Sequence, residues 1–133
     1  MRQILPQPPP REAPRVLLKE KKAYQFWLAL HRDLPRVERL GLGQKIEQAF
    51  LDVLELTFTS SYLPPESKII VLSRAISRLD ILKFFLQLAW ESKIIPTAKH
   101  AELTQKLAEI GRQLGGWKKG MQEKIKLTKT PVR

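Results

Sequence analysis

From Arg15 onward, apolar side chains recur three and four residues apart, the spacing that lines one face of an α-helix. Leu17, Tyr24, Trp27, Leu28, His31 and Leu34 keep this spacing, and Pro35 closes the segment before a turn flanked by Gly41 and Gly43. A second helix is predicted from Leu42 to Ser61, with Ile46, Phe50, Val53 and Leu56 as its main stripe. Pro64-Pro65 breaks it, and Pro65 is placed to open a third helix reaching Ser92. That helix presents Ile69, Leu72, Ile76, Leu79, Leu86 and Trp90. A fourth starts at Pro96-Thr97, where Leu103, Leu107, Ile110, Leu114 and Trp117 repeat at steps of four and three. Gly115 and Gly116 are suited to a left-handed C-cap ending it. No segment alternates as a strand does. The pattern predicts an all-α, antiparallel, up-down-up-down four-helix bundle over residues 15–117.

Two helices carry more apolar surface than one core needs. Leu51, Leu54 and Phe58 form a second stripe on the second helix, and Ile81, Phe84 and Leu88 widen the face of the third. A bundle helix needs an apolar stripe of only about 100°, and large exposed patches are uncommon on monomers. These six residues are therefore expected at an interface between copies of the chain.

Composition changes the picture at the two ends. Residues 1–14 hold five of the ten prolines, a disordered Pro-rich arm by expectation, and residues 118–133 read as a basic tail. The net charge of +11 is unevenly spread. Residues 1–24 carry six basic and two acidic residues, and residues 117–133 carry six basic and one acidic, against a middle of nearly balanced charge. Such an excess does not help a chain to fold; it argues for a polyanionic partner. The candidate nucleic-acid contacts are Arg15, Lys19, Lys21 and Lys22 on the first helix, Arg32 and Arg36 at its end, and Arg74 and Arg78 on the third. Lys118, Lys119, Lys124 and Lys126 of the tail complete the set. With no strand platform and few aromatics beside these cations, contacts to the backbone are expected, not base reading. In an up-down-up-down bundle the two basic termini share one end.

Catalytic chemistry finds no support. The chain has no cysteine, so it has neither a disulfide frame nor a thiolate metal site. His31 and His100 stand on different helices without a paired ligand motif, and His31 lies among apolar positions as a core histidine does. Glu47, Asp52 and Glu55 lack the ExxH partner of a di-metal bundle. No phosphate-binding glycine loop, HExxH or GxSxG is present. The chain reads as a non-enzyme without metal or cofactor. No apolar run approaches the roughly 20 residues that span a bilayer, and residues 1–15 have no signal-peptide core, so a cytoplasmic location is expected.

Three segments carry a resemblance: LGQKIEQAFLDVLEL on the second helix, LQLAWESKIIP closing the third, and AELTQKLAEIGRQLGGWKK on the fourth. Over residues 20–119 the chain resembles the Avd family, the accessory variability determinants of diversity-generating retroelements, with EIGRQLGGWKK the most specific part. The 23S rRNA intervening-sequence proteins share the same bundle. The resemblance implies a homopentameric barrel of four-helix protomers that binds nucleic acid. It also implies association with the retroelement's reverse transcriptase, supporting mutagenic cDNA synthesis from a template RNA. The residues leave two other functions open: an RNA-associated bundle protein of the intervening-sequence type, and a structural oligomer with basic tails.

Overall fold

The structure is a computed structural model that describes residues 12–129, with side chains from Arg15 to Leu127. The expected N-terminal arm lies largely outside the described residues, as does the end of the tail. Four long helices and one short one follow in order: α1 (Glu12–Arg32), α2 (Arg36–Leu40), α3 (Leu42–Ser60), α4 (Pro65–Glu91) and α5 (Thr97–Lys129). The long helices neighbour one another in a closed ring, α1 beside α3, α3 beside α4, α4 beside α5 and α5 beside α1. Each chain-consecutive long pair is joined by a short connection, so the four form the antiparallel bundle read from the sequence. Among the described residues, no helix is long and apolar enough to cross a membrane.

The core is a set of stripes meeting along the bundle axis. Ile46, Phe50 and Val53 of α3, Leu72, Leu79, Leu82 and Leu86 of α4, and Leu103, Leu107, Ile110, Leu114 and Trp117 of α5 are all buried. On α1 the sealed row is Val16, Glu20, Ala23 and Trp27. That row lies one residue away from Leu17 and Leu28, which are only half-buried. Trp90, expected in the core, is 37% exposed; its Nε1 donates to Thr97 Oγ1 at 3.1 Å and its ring stacks on His100.

Three local features depart from the sequence reading. A five-residue helix, α2, fills the α1–α3 connection and is too short for a periodic signal. Helix α5 does not stop at Gly115-Gly116. It runs on to Lys129, and no glycine among the described residues takes a positive φ. Burial of Trp117, and packing of Met121 against the core, carry the α5 stripe across the glycines. The left-handed residue is instead Lys93, at φ 63°, where the Ile94 N–H reaches back to the Ala89 carbonyl at 2.8 Å to end α4. Gly43 has a different purpose: a Cβ there would lie 2.8 Å from the Glu38 carbonyl and 2.9 Å from the His31 ring, so only glycine lets α3 start against α1 and α2.

Candidate nucleic-acid interface

The ring order of the helices sorts the cations by face. Arg15, Lys19, Lys22 and Phe26 follow steps of four, three and four along α1, which places them on the side facing α5. Opposite them on α5 stand Lys99, Lys106, Glu109, Gln113 and Gly116. Lys19 pairs with Glu109 across the seam, and this bond holds the Glu109 carboxyl below its usual pKa. The Nζ atoms of Lys99 and Lys106 lie 5.3 and 5.5 Å from the centroid of the Phe26 ring. Lys19, Lys22, Lys106 and Glu109 line a groove of about 230 Å³. Further toward the chain ends, Arg15, Val16, Gln113, Gly116 and Trp117 line an open cavity of about 160 Å³.

The other candidate cations are dispersed. Lys21 is exposed one step around α1 from this seam. Arg32 and Arg36 stand at the opposite end of the bundle from Arg15. Arg74 and Arg78 line a shallow groove between α4 and α3, where Arg78 Nη2 donates to Asp52 Oδ2 at 2.8 Å. Lys118, Lys119, Lys124 and Lys126 lie on the far part of α5, a helix where an irregular tail was expected, at the same end as Arg15. The sequence reading did not include Phe26, Lys99, Lys106 or Gln113. The signal for α1 was present in the 15–19–22–26 spacing, whereas the α5 partners emerge only once α1 and α5 are known to be neighbours.

The apolar candidates also divide. Leu51, Phe58, Phe84 and Leu88 are exposed at 39%, 49%, 60% and 39%, while Leu54 and Ile81 are half-buried. Leu51, Leu54 and Phe58 share the side of α3 toward α1, together with Tyr62, whose ring meets Phe58 edge-on at 5.1 Å. Ile81, Phe84 and Leu88 follow the outer face of α4 with exposed Ile70. Each protomer therefore displays two separate apolar patches.

Polar groups inside the bundle gather at the end shared by the termini. Glu20 is 2% exposed, and its Oε2 accepts from Thr57 Oγ1 at 2.7 Å while Oε1 has no hydrogen-bond partner. Burial pushes its pKa up to about 8, against the smaller opposing effect of the Thr57 hydroxyl. Lys68, nearly buried, sits 5.4 Å from the centroid of the Trp117 ring. His31 is built into the fold: it stacks on Trp27 and its Nε2 is 3.2 Å from the Arg39 carbonyl. Among the described residues, no group of three His, Asp or Glu side chains is placed to hold a metal ion.

A family model described as bAvd-like matches residues 17–121, from the first turns of α1 to the turn after Trp117 on α5. No curated protein matches the chain.

Proposed function

This chain belongs to the bAvd-like family, whose members are non-catalytic, and on that premise we propose that it is the accessory subunit of a diversity-generating retroelement. In this role it binds nucleic acid and the element's reverse transcriptase and supports mutagenic cDNA synthesis from a template RNA. The observation that carries the reading is the family match across the whole bundle. The cation-lined α1–α5 seam supports the nucleic-acid part. Arg15, Lys19, Lys22 and the α5 lysines Lys118, Lys119, Lys124 and Lys126 lie toward one end, where they neutralise phosphates and release counterions.

Assembly into a homopentameric barrel belongs to the same proposal. A closed ring of five is built from a heterologous contact, in which one patch on each copy meets a different patch on the next. The separate apolar patches on α3 and on α4 supply such a pair, and both lie away from the α1–α5 seam, leaving the cations outside the contact.

Co-expression with the reverse transcriptase of a diversity-generating retroelement tests the function. The expected result is co-purification of the two proteins, and loss of cDNA when this chain is deleted. An unassociated transcriptase, with cDNA yield unchanged by the deletion, would sink the proposal.

A further inference from the structure

We propose that the seam between α1 and α5 is a track for one single strand of nucleic acid, and that the cavity at its terminal end takes one unstacked pyrimidine. This rests on the nucleic-acid binding put forward above. It adds where the strand lies, and it replaces pure backbone contact with recognition of one base.

The track is a row of cations with few competing acids. Glu109 is engaged by Lys19, and Glu102 stands 3.9 Å from Lys106 in an exposed pair of little energetic weight. Lys22 and Lys99 have no carboxylate within ion-pair distance among the described residues. Lys99 and Lys106, seven residues apart, both converge on Phe26, which brings like charges toward one point. A phosphate seated between them relieves that repulsion. From Lys99 to Gly116 the α5 side of the seam extends about 25 Å at 1.5 Å per residue, enough for several nucleotides. A cationic groove combined with an aromatic side chain is the general form of single-strand sites.

The cavity has the size and the polar groups for one ring. Its volume is about 160 Å³, and a cavity of about 150 Å³ accommodates benzene. A purine is larger. Val16, 2% exposed, and Trp117, 4% exposed, form buried walls. Two buried polar atoms of the lining residues lack a hydrogen-bond partner: Trp117 Nε1, a donor, and Gln113 Oε1, an acceptor. Uracil, thymine and cytosine each carry a carbonyl for the first and an N–H for the second, and because both atoms are sealed from solvent the Gln113 and Trp117 side chains must shift as the base enters. Lys68 stands against the Trp117 ring, 5.4 Å from its centroid. Gly116 lines the cavity without a side chain, and a Cβ there would meet nothing within 4 Å, so a larger residue can be placed at the mouth. Exposed Arg15 at the rim is placed for the adjoining phosphate.

The test uses the full chain with fluorescent oligo-uridine, oligo-thymidine and an abasic strand of equal length, titrated across a salt series. The wild-type protein is expected to bind the pyrimidine strands about tenfold more tightly than the abasic one, in keeping with the worth of one base contact. Lys22→Ala/Lys99→Ala/Lys106→Ala is expected to flatten the plot of log affinity against log salt by about two units, at about 0.7 per phosphate for single strands. Gly116→Leu, which fills the mouth and favours helix, is expected to bring pyrimidine strands down to the abasic affinity, with circular dichroism confirming the fold. Equal binding of pyrimidine and abasic strands by the wild type, or a base advantage that survives Gly116→Leu, would overturn the cavity assignment. A triple variant with the wild-type slope would overturn the track. A wild-type protein that binds none of the strands would refute nucleic-acid binding itself, a different outcome from either. Comparing the uridine and thymidine strands shows whether RNA or DNA is the ligand.

Discussion

Glu20 makes the stability of this bundle depend on pH in an unusual direction. Its carboxyl is sealed between α1 and α3 with one hydrogen bond, from Thr57, and burial raises its pKa from 4.5 to about 8. Between those two values the folded chain holds a proton on Glu20 that the unfolded chain releases. Folding then takes up one proton, so stability falls as pH rises. The favourable contribution is fully present below about pH 4.5 and is lost as pH climbs through 8. Each pH unit inside the window changes the folding constant about tenfold, and the whole window amounts to on the order of 5 kcal/mol. Glu20→Gln keeps the shape but cannot titrate. Its amide adds a buried donor at the position of the unpartnered oxygen, a cost that is the same at every pH and so shifts the curve without tilting it. Denaturant unfolding followed by circular dichroism, at fixed protein concentration and ionic strength, measures both proteins between about pH 5 and pH 8. The wild-type midpoint is expected to fall steadily with pH and the variant's to stay nearly level. A level wild-type profile, or the same tilt in both proteins, would refute the reasoning.

Further outcomes follow from the glycines and the exposed rings. Gly43→Ala drives a Cβ against the Glu38 carbonyl and the His31 ring; a loss of about 1–3 kcal/mol is expected, read as a lower thermal midpoint. Gly115→Ala and Gly120→Ala meet no neighbour within 4 Å, and each is expected to raise stability by about 0.5–1 kcal/mol in the same melt. Phe84→Glu alters a side chain that is 60% exposed. It should leave the helix content intact while reducing the sedimenting mass of the proposed oligomer; an unchanged mass removes Phe84 from the proposed contact between copies.

The parts of the fold that could be read from sequence are those where large apolar residues alone define the face. On α5, Leu103, Leu107, Ile110, Leu114 and Trp117 form an uninterrupted row, and all five are buried. On α1 the row was obscured because its members are small or charged. Val16, Ala23 and Glu20 share the buried face with Trp27, so weighing only the bulky residues turns the helix by one position. The end of α5 was misread because a glycine permits a left-handed cap without requiring one. At Lys93 the reverse holds, since nothing in a lysine announces a positive φ. The basic character of the chain is plain in its composition, but its arrangement is not. Lys99 and Lys106 acquire meaning only from Phe26, more than 70 positions away in sequence and brought to them by the closing of the ring.

The run of α5 through Gly115, Gly116 and Gly120 gives its last turns a thin helical margin, since each glycine costs about 1 kcal/mol relative to alanine. Amide protons there should exchange with solvent well before those of the Leu103–Leu114 segment, whose buried contacts lock it. A ligand or partner that grips Lys118 to Lys126 would have to hold those turns wound and slow that exchange. The end of α5 thus acts as a built-in gauge of occupancy, readable without any label.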